Sequence, residues 1–341
     1  MSDSIQSNQA LLEVRELKQY FPVKKEKIRQ KKQFVKAVDD ISFSIKKGTT
    51  LSIVGESGCG KSTTGRAILR LDEPTSGQII YDQVDLANIS RKELKKMRGQ
   101  IQVIFQDPFA SLNPRRTIRK MLYEAMDIQQ SVKKEDREAR MIELMTLVGL
   151  PPDSLERLPH EFSGGQRQRI GIARALAVNP ELIICDEAVS ALDVSIQAQI
   201  INLLKKLQKE LDLTYLFISH DLSVVRHISD RVVVMYLGKI VEIADKKDLF
   251  SKPLHPYTQV LLSAIPTIDM NEERVEIEVN GDVPSPINPP SGCRFHTRCP
   301  FATELCKTKE PELAEKENGT GNHLAACHFA DEIFNKNSMK I

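Results

Sequence analysis

No apolar run in the 341-residue sequence approaches the roughly 18–20 residues needed to cross a bilayer as a helix. VVVMYLG (232–238) is among the longest. A role at a membrane is therefore expected to come through a partner. The first ten residues, MSDSIQSNQA, are polar and hold no apolar signal segment, so the chain is expected in the cytosol. A charge excess is missing too. Forty-eight basic residues face 46 acidic ones, and the net charge of +2 gives no global pull toward nucleic acid. Aromatic residues make up only 5%. Hydrophobic content of 41% and charged content of 28% are nonetheless ordinary for a globular protein with one large domain or two smaller ones. No internal repeat is visible. Cysteine is nearly absent from the first two-thirds, which hold only Cys59 and Cys185. Cys293, Cys299, Cys306 and Cys327 all fall within the last 49 residues. In a reducing compartment such a cluster suggests a metal before disulfides.

Apolar, β-rich runs occur at 41–45, 51–54, 101–105, 181–185, 214–219 and 231–235, the last followed by YLG and KIVEI as a hairpin. Helical patterns lie between several of them. Ile196, Ile200, Leu203, Leu204 and Leu207 share one helical face. The alternation predicts an α/β fold with parallel strands. Segment 107–165 has no strong strand and reads as a helical insertion. The Pro-rich stretch GDVPSPINPPSG (281–292) reads as an extended arm. The basic run KKEKIRQKKQFVK (24–36) reads as a solvated loop between two N-terminal strands, with an anionic lipid or nucleic-acid contact as the alternative.

GESGCGKS (55–62) follows the apolar LSIV and precedes the helix-compatible TTGRAILRL. This is the strand–loop–helix setting of a phosphate-binding P-loop. Glycines let backbone N–H groups turn inward at a helix N-terminus. The candidate nucleotide-binding residues are Gly55, Glu56, Ser57, Gly58, Cys59, Gly60, Lys61, Ser62 and Thr63. Lys61 is placed for the β- and γ-phosphates and Ser62 for Mg²⁺. LIICDE (182–187) is an apolar strand ending in two acids. Asp186 is the second candidate Mg²⁺ ligand and Glu187 the candidate general base. Gln106, after IQVIF, can sense Mg²⁺ or the attacking water, and His220, after LFIS, can reach the γ-phosphate. Cys59 and Cys185 are given no chemistry.

A second anion cradle follows more than a hundred residues later. HEFSGGQRQRIGIARAL (160–176) places a Ser-Gly-Gly turn at the start of a helix but offers no lysine of the P-loop kind. The P-loop, Gln106, FSGGQ (162–166), CDE, SALD (190–193) and His220 occur in the order found in ATP-binding cassette (ABC) ATPases, and residues 10–265 resemble that family. The resemblance implies a nucleotide-binding domain with an antiparallel N-terminal β-subdomain and a helical subdomain at about 107–165. It also implies why the second cradle lacks a lysine. Two cassettes pack head to tail, and Ser163, Gly164, Gly165 and Gln166 of one close over ATP held by the other. Asp193 lies in the loop crossing that interface. An aromatic near the N-terminus meets the adenine; in LKQYF (17–21) this is Phe21, with Tyr20 as the competing neighbour. Phe162 stands where the commoner form has Leu. Soluble ABC proteins of DNA repair or translation carry a long coiled coil or two cassettes per chain, and this sequence shows neither.

GESGCGKSTTGRAI, QDPFASLNPR, HPYTQVLLSAIP and PPSGCRFHTRCPFA narrow the resemblance to ATPase subunits of bacterial oligopeptide and dipeptide importers and related nickel importers. The P-loop form favours the F-type subunit over its D-type companion. That implies ATP hydrolysis driving peptide import, with nickel as the alternative substrate. Expected partners are a D-type ATPase, two transmembrane permease subunits and an extracellular substrate-binding protein. A homodimer stays open, and nucleic acid is not expected. The chain would sit peripherally on the cytoplasmic face of the membrane, with the helical insertion, DPFASLNP at its edge, receiving a coupling helix of the permease. Residues 266–335 form the Pro/Cys-rich C-terminal domain of such subunits. Its spacing, C-x5-C-x6-C-x20-C, matches neither short zinc pair. The resemblance implies a [4Fe–4S] cluster on the four cysteines. Zinc, with His296, His323 or His328 substituting, and unliganded thiols are the alternatives.

Overall fold

The computed structural model describes residues 10–24, 32–107, 111–265, 281–319 and 322–338, with 336–338 as backbone alone. Strands β1 (Ala10–Pro22) and β2 (Phe34–Lys46) pair antiparallel along most of their length. The central part of the basic run, 25–31, lies outside the described residues. With β4 (Ser76–Tyr81) and β5 (Val84–Asp85) they form a four-stranded sheet in the order β2-β1-β4-β5. Leu12, Val14 and Leu17 of β1 face the core, and the register slips between Val14 and Leu17, where Glu16 takes a φ of +49°. That bulge restores inward pointing after one extra residue. This is the antiparallel subdomain that the sequence predicted.

The second sheet is built on β3 (Thr50–Val54), β6 (Ile101–Ile104), β7 (Leu182–Asp186), β8 (Thr214–Ile218) and β9 (Arg231–Tyr236). They run parallel in the order β9-β3-β8-β7-β6. Parallel strands are covered on both faces, which is why these segments read as near-continuous apolar runs. Alternate residues feed two cores: Ile183, Cys185, Tyr215 and Phe217 enter one, Leu182, Ile184, Leu216 and Ile218 the other. Helix α1 (Lys61–Ile68) follows β3, and α2 (Arg91–Gln100), started by a Ser90/Glu93 capping box, leads into β6. Between β6 and β7 come α3 (Ile118–Gln129), α4 (Arg137–Leu147) and α5 (Gly164–Leu176). No strand occurs among the described residues of that insertion, as expected. Helix α6 (Val194–Leu211) joins β7 to β8, and α7 (Leu222–Ile228) joins β8 to β9. The helix expected from 196–207 is longer because Asp193 opens it and Asp212, at φ +50°, closes it.

The expected hairpin is present. β10 (Lys239–Asp245) returns antiparallel to β9 through Leu237 and Gly238, both at positive φ. Helices α8 (Lys246–Ser251) and α9 (Pro256–Ser263) follow. The C-terminal segment adds α10 (Glu304–Thr308), β11 (Ala314–Glu315), β12 (Leu324–Ala325) and α11 (Ala330–Ser338). It is fastened to the main sheet where β12 pairs with β10. At that seam the buried Glu242 carboxylate accepts from Leu254 N at 2.8 Å, from His255 N at 2.9 Å and pairs with His323 Nε2 at 2.7 Å. No described helix is long and apolar enough to cross a membrane.

Candidate nucleotide site and cysteine pocket

The loop 55–60 leaves the C-terminal end of β3, which lies between β9 and β8 in the parallel set, where open α/β sheets bind ligands. Its backbone needs glycine. A Cβ on Gly60, at φ +105°, would lie 2.1 Å from Ala37 O, and one on Gly55 would lie 2.1 Å from Met235 O. Ser57 and Gly58 are exposed at the tip, while Cys59 packs inward. Burial pushes the Cys59 thiol up, so it stays protonated and unreactive. The Lys61 ammonium donates to Gly55 O at 2.8 Å and Glu56 O at 3.0 Å, curling over the loop it serves. Thr63 sits half-buried in the first turn of α1.

Four further candidates emerge from neighbouring strand ends. Ser62 Oγ donates to Asp186 Oδ1 at 2.6 Å. Burial raises the Asp186 pKa, and the Ser62 hydroxyl bond opposes the rise. A partly desolvated carboxylate beside a hydroxyl is an all-oxygen donor set of the kind Mg²⁺ takes. Glu187, the next residue, has φ +47° and donates its N–H to Ile218 O at 3.0 Å. A left-handed non-glycine residue stores strain, and such strain concentrates at functional sites. The Glu187 carboxylate accepts from Gln106 Nε2 at 3.0 Å and lies 3.4 Å from His220 Nδ1. Gln106 Nε2 also reaches Ser190 Oγ at 3.3 Å. The ends of β6, β7 and β8 thus bring Gln106, Glu187 and His220 together beside the loop that ends β3.

The second cradle is a separate construction. Ser163 caps α5 in a reciprocal box with Gln166, whose N–H reaches Ser163 Oγ at 3.4 Å while Ser163 N reaches Gln166 Oε1 at 3.0 Å. Both residues are exposed, and Gly164 and Gly165 form the first turn. A Cβ on Gly165 would sit 2.6 Å from Ile196 Cγ2. Asp193 precedes α6 without a side-chain cap bond, and its neighbour Val194 is 82% exposed. Near the N-terminus, the Tyr20 hydroxyl donates to Asp39, while Phe21 is half-buried at the end of β1 opposite Val35.

Cys293, Cys299, Cys306 and Cys327 line one largely enclosed cavity, walled by Phe295, Phe301, Phe329 and Ile333. Burial pushes Cys293 up to about 11, and Cys299 and Cys327 up to about 12. No disulfide joins them. Among the described residues no three His, Cys, Asp or Glu side chains are gathered closely enough to hold one metal ion. Neither the expected [4Fe–4S] cluster nor the zinc alternative therefore finds a preformed ligand set among the described residues. His323, one of its candidate ligands, is instead committed to Glu242, and His328 Nε2 lies 2.9 Å from Lys309 O.

Five residues escaped sequence reasoning. Arg298 forms a bidentate ion pair with Glu56 at 2.9–3.2 Å, and Arg294 binds Asp39 and Leu237 O. Tyr257 Oη accepts from Glu56 N at 2.9 Å, and Tyr236, Tyr257 and Phe295 pack ring to ring. An arginine beside a cysteine carries no signal of its target, which is reached only by tertiary folding.

Residues 38–190 match the ABC transporter family, and residues 241–306 match the family described as oligopeptide/dipeptide transporter, C-terminal region. The oligopeptide transport ATP-binding protein AppF of Bacillus subtilis is 56% identical over 95% of this chain and 98% of its own. A putative peptide import ATP-binding protein of Brucella ovis is 54% identical over 86% of this chain and 92% of its own. Among solved structures, cbiO1 of Clostridium perfringens, part of an ABC transporter complex, superimposes with a TM-score of 0.61 at 27% identity, over 71% of this chain and 91% of that one. The ATP-binding cassette MJ0796, solved as a dimer in a post-hydrolysis state bound to ADP and Pi, gives 0.59 at 29% identity, over 69% and 98%. With a P-loop ABC ATPase fold and full-length relatives of this similarity, the chain belongs to the ATP-binding proteins of ABC oligopeptide and dipeptide transporters.

Proposed function

We propose that this chain hydrolyses ATP to power import of peptides through a membrane permease. The observation that carries the reading is the convergence of Lys61, Ser62, Asp186, Gln106, Glu187 and His220 on one edge of the sheet, in a chain whose relatives are named for peptide transport. Lys61 leaves its two loop carbonyls for the phosphates. Ser62, Asp186 and Gln106 would hold Mg²⁺, which would supply charge neutralisation for the phosphates when bound. Glu187 takes the proton of the attacking water, and His220 and Gln106 fix its carboxylate. Phe21 meets the adenine. Ser163, Gly164, Gly165, Gln166 and Asp193 serve the ATP of a second cassette, which supports a dimer; MJ0796 is described as one.

The finer assignments extend the same reading. Residues 10–265 form the nucleotide-binding domain and 266–335 a Pro/Cys-rich C-terminal domain. The chain is the F-type subunit, paired with a D-type ATPase and two permease subunits on the cytoplasmic face and fed by a substrate-binding protein. The four cysteines hold a [4Fe–4S] cluster. What supports a shared group there is that all four thiols line one apolar, largely enclosed cavity.

Two measurements test this. Uptake of a labelled oligopeptide should be lost in cells lacking the gene, restored by the intact chain and not by Lys61→Ala. Uptake unchanged by the deletion removes the transport assignment. Chain purified anaerobically should carry about four irons and four acid-labile sulfides. One zinc and no sulfide replaces the cluster with a structural metal and leaves the ATPase assignment standing.

A further inference from the structure

The loop between Cys293 and Cys299 carries two arginines, and both leave the cysteine pocket for the nucleotide site. Arg294 is nearly buried and donates to the Asp39 carboxylate and to Leu237 O. Asp39 N donates to Gly238 O at 2.8 Å, and Gly238 N donates to Cys59 O at 2.9 Å, so this contact ends on the P-loop backbone. Arg298 reaches the same loop directly. Its two terminal nitrogens grip both oxygens of Glu56, and one lies 3.4 Å from Tyr236 Oη. The guanidinium also stands 5.8 Å from the centre of the Tyr236 ring. From the other side Tyr257 Oη holds the Glu56 amide.

Glu56 is the awkward member of this loop. Its carboxylate lies in the segment that cradles a polyanion, where an unpaired negative charge repels the ligand. Arg298 cancels that charge with a planar, bidentate partner only 12% exposed, where screening by solvent is weak. We propose that Arg298 is a positioning residue for ATP binding. It acts through Glu56, neutralising and fixing the carboxylate, so that the cysteine loop forms the outer wall of the nucleotide site. The proposal rests on the P-loop reading above but not on which group fills the cysteine pocket.

The test is a set of ATP affinities on the full-length chain, read with a fluorescent ATP analogue and Mg²⁺. Arg298→Met keeps the side chain's length and removes its charge. It should weaken ATP binding about tenfold, within the usual range of couplings between neighbouring sites. Steady-state KM should rise while kcat holds, because Arg298 touches none of the groups around Glu187. The double variant Glu56→Gln/Arg298→Met leaves no stranded anion and should recover most of the lost affinity. A merely structural role predicts a lower melting temperature and no such recovery. If Arg298→Met fails to fold, Arg298→Lys keeps the charge without the fork and should give an intermediate loss. An affinity within twofold of the intact chain in the folded variant overturns the proposal, and so does a loss that Glu56→Gln leaves unrelieved. Lys61→Ala serves as the control: if it still binds ATP normally, the P-loop reading itself has failed, whatever Arg298 does.

Discussion

Replacing Glu187 by Gln separates binding from chemistry at this site. The amide is nearly isosteric and keeps an oxygen to accept from Gln106 Nε2, now 3.0 Å from the carboxylate. It also keeps the backbone N–H that Glu187 donates to Ile218 O, so the φ of +47° is still held by the same bond. What it loses is a group that can accept a proton. General bases contribute about 10²–10⁴-fold. Three decades correspond to about 4 kcal/mol of barrier, at roughly 1.4 kcal/mol per decade. Nothing in the P-loop is touched: Lys61 still has Gly55 O and Glu56 O, and Ser62 still has Asp186. Phosphate release by the assembled transporter should therefore fall about a thousandfold while ATP affinity holds. Unhydrolysed ATP should then hold the cassettes together, read as a dimer by light scattering that forms only with MgATP. A kcat within tenfold of the unsubstituted chain would falsify the role given to Glu187, because no base could then be acting there.

The absence of tryptophan makes the adenine wall directly readable. Phe21→Trp should change its emission when ATP binds, and a response from Tyr20→Trp alone would move the wall to Tyr20. Gly60→Ala should abolish ATP binding, since its Cβ would fall 2.1 Å from the backbone oxygen of Ala37, with no flexible side chain to yield. His323→Leu leaves the buried Glu242 with two amide donors and without the His323 contact. Losing a hydrogen bond to a buried carboxylate costs up to about 3 kcal/mol. For 341 residues unfolding as one unit that is a drop of about 4 °C in Tm. An unchanged Tm would show that the seam between β10 and β12 carries no such weight.

Much of this architecture was legible because it is local. Buried parallel strands are continuous apolar runs, and TYLFI and LIICD announce themselves without any knowledge of their neighbours. The P-loop is a strand, a glycine turn and a helix in sequence order. The strand-end chemistry followed, because a residue at the C-terminal end of a parallel strand has one place to be. Strand limits were less secure. Phe34–Asp40 joined β2 although FVKAVDD interrupts its apolar residues with charges and gives no long apolar run, since it is pairing with β1 that keeps it extended. The contacts made by the C-terminal segment could not be read at all. Arg294 lies 255 residues from Asp39, and Arg298 lies 242 from Glu56. His323 looks like a metal ligand among cysteines until β12 pairs with β10 and delivers it to Glu242.

On the function proposed above, the second cradle makes one copy of the chain chemically incomplete. Ser163 and Gln166 satisfy each other at the start of α5 while remaining exposed, so the helix N-terminus is preformed and open to an anion. The loop before α6 is equally open: Asp193 lacks a cap bond and Val194 is 82% exposed. An apolar side chain that bare, next to the residue expected at the cassette interface, is expected to be covered on assembly. Covering a valine is worth about 1.5–3 kcal/mol. Placing a carboxylate there forfeits that gain and adds the cost of desolvating the charge. Val194→Asp should therefore weaken ATP-dependent dimerisation about a hundredfold, at roughly 1.4 kcal/mol per decade. ATPase activity should fall with it while ATP affinity of the separate chain holds, since Val194 touches no P-loop residue. Dimerisation that survives the substitution would place the interface elsewhere and leave FSGGQ without the task assigned to it.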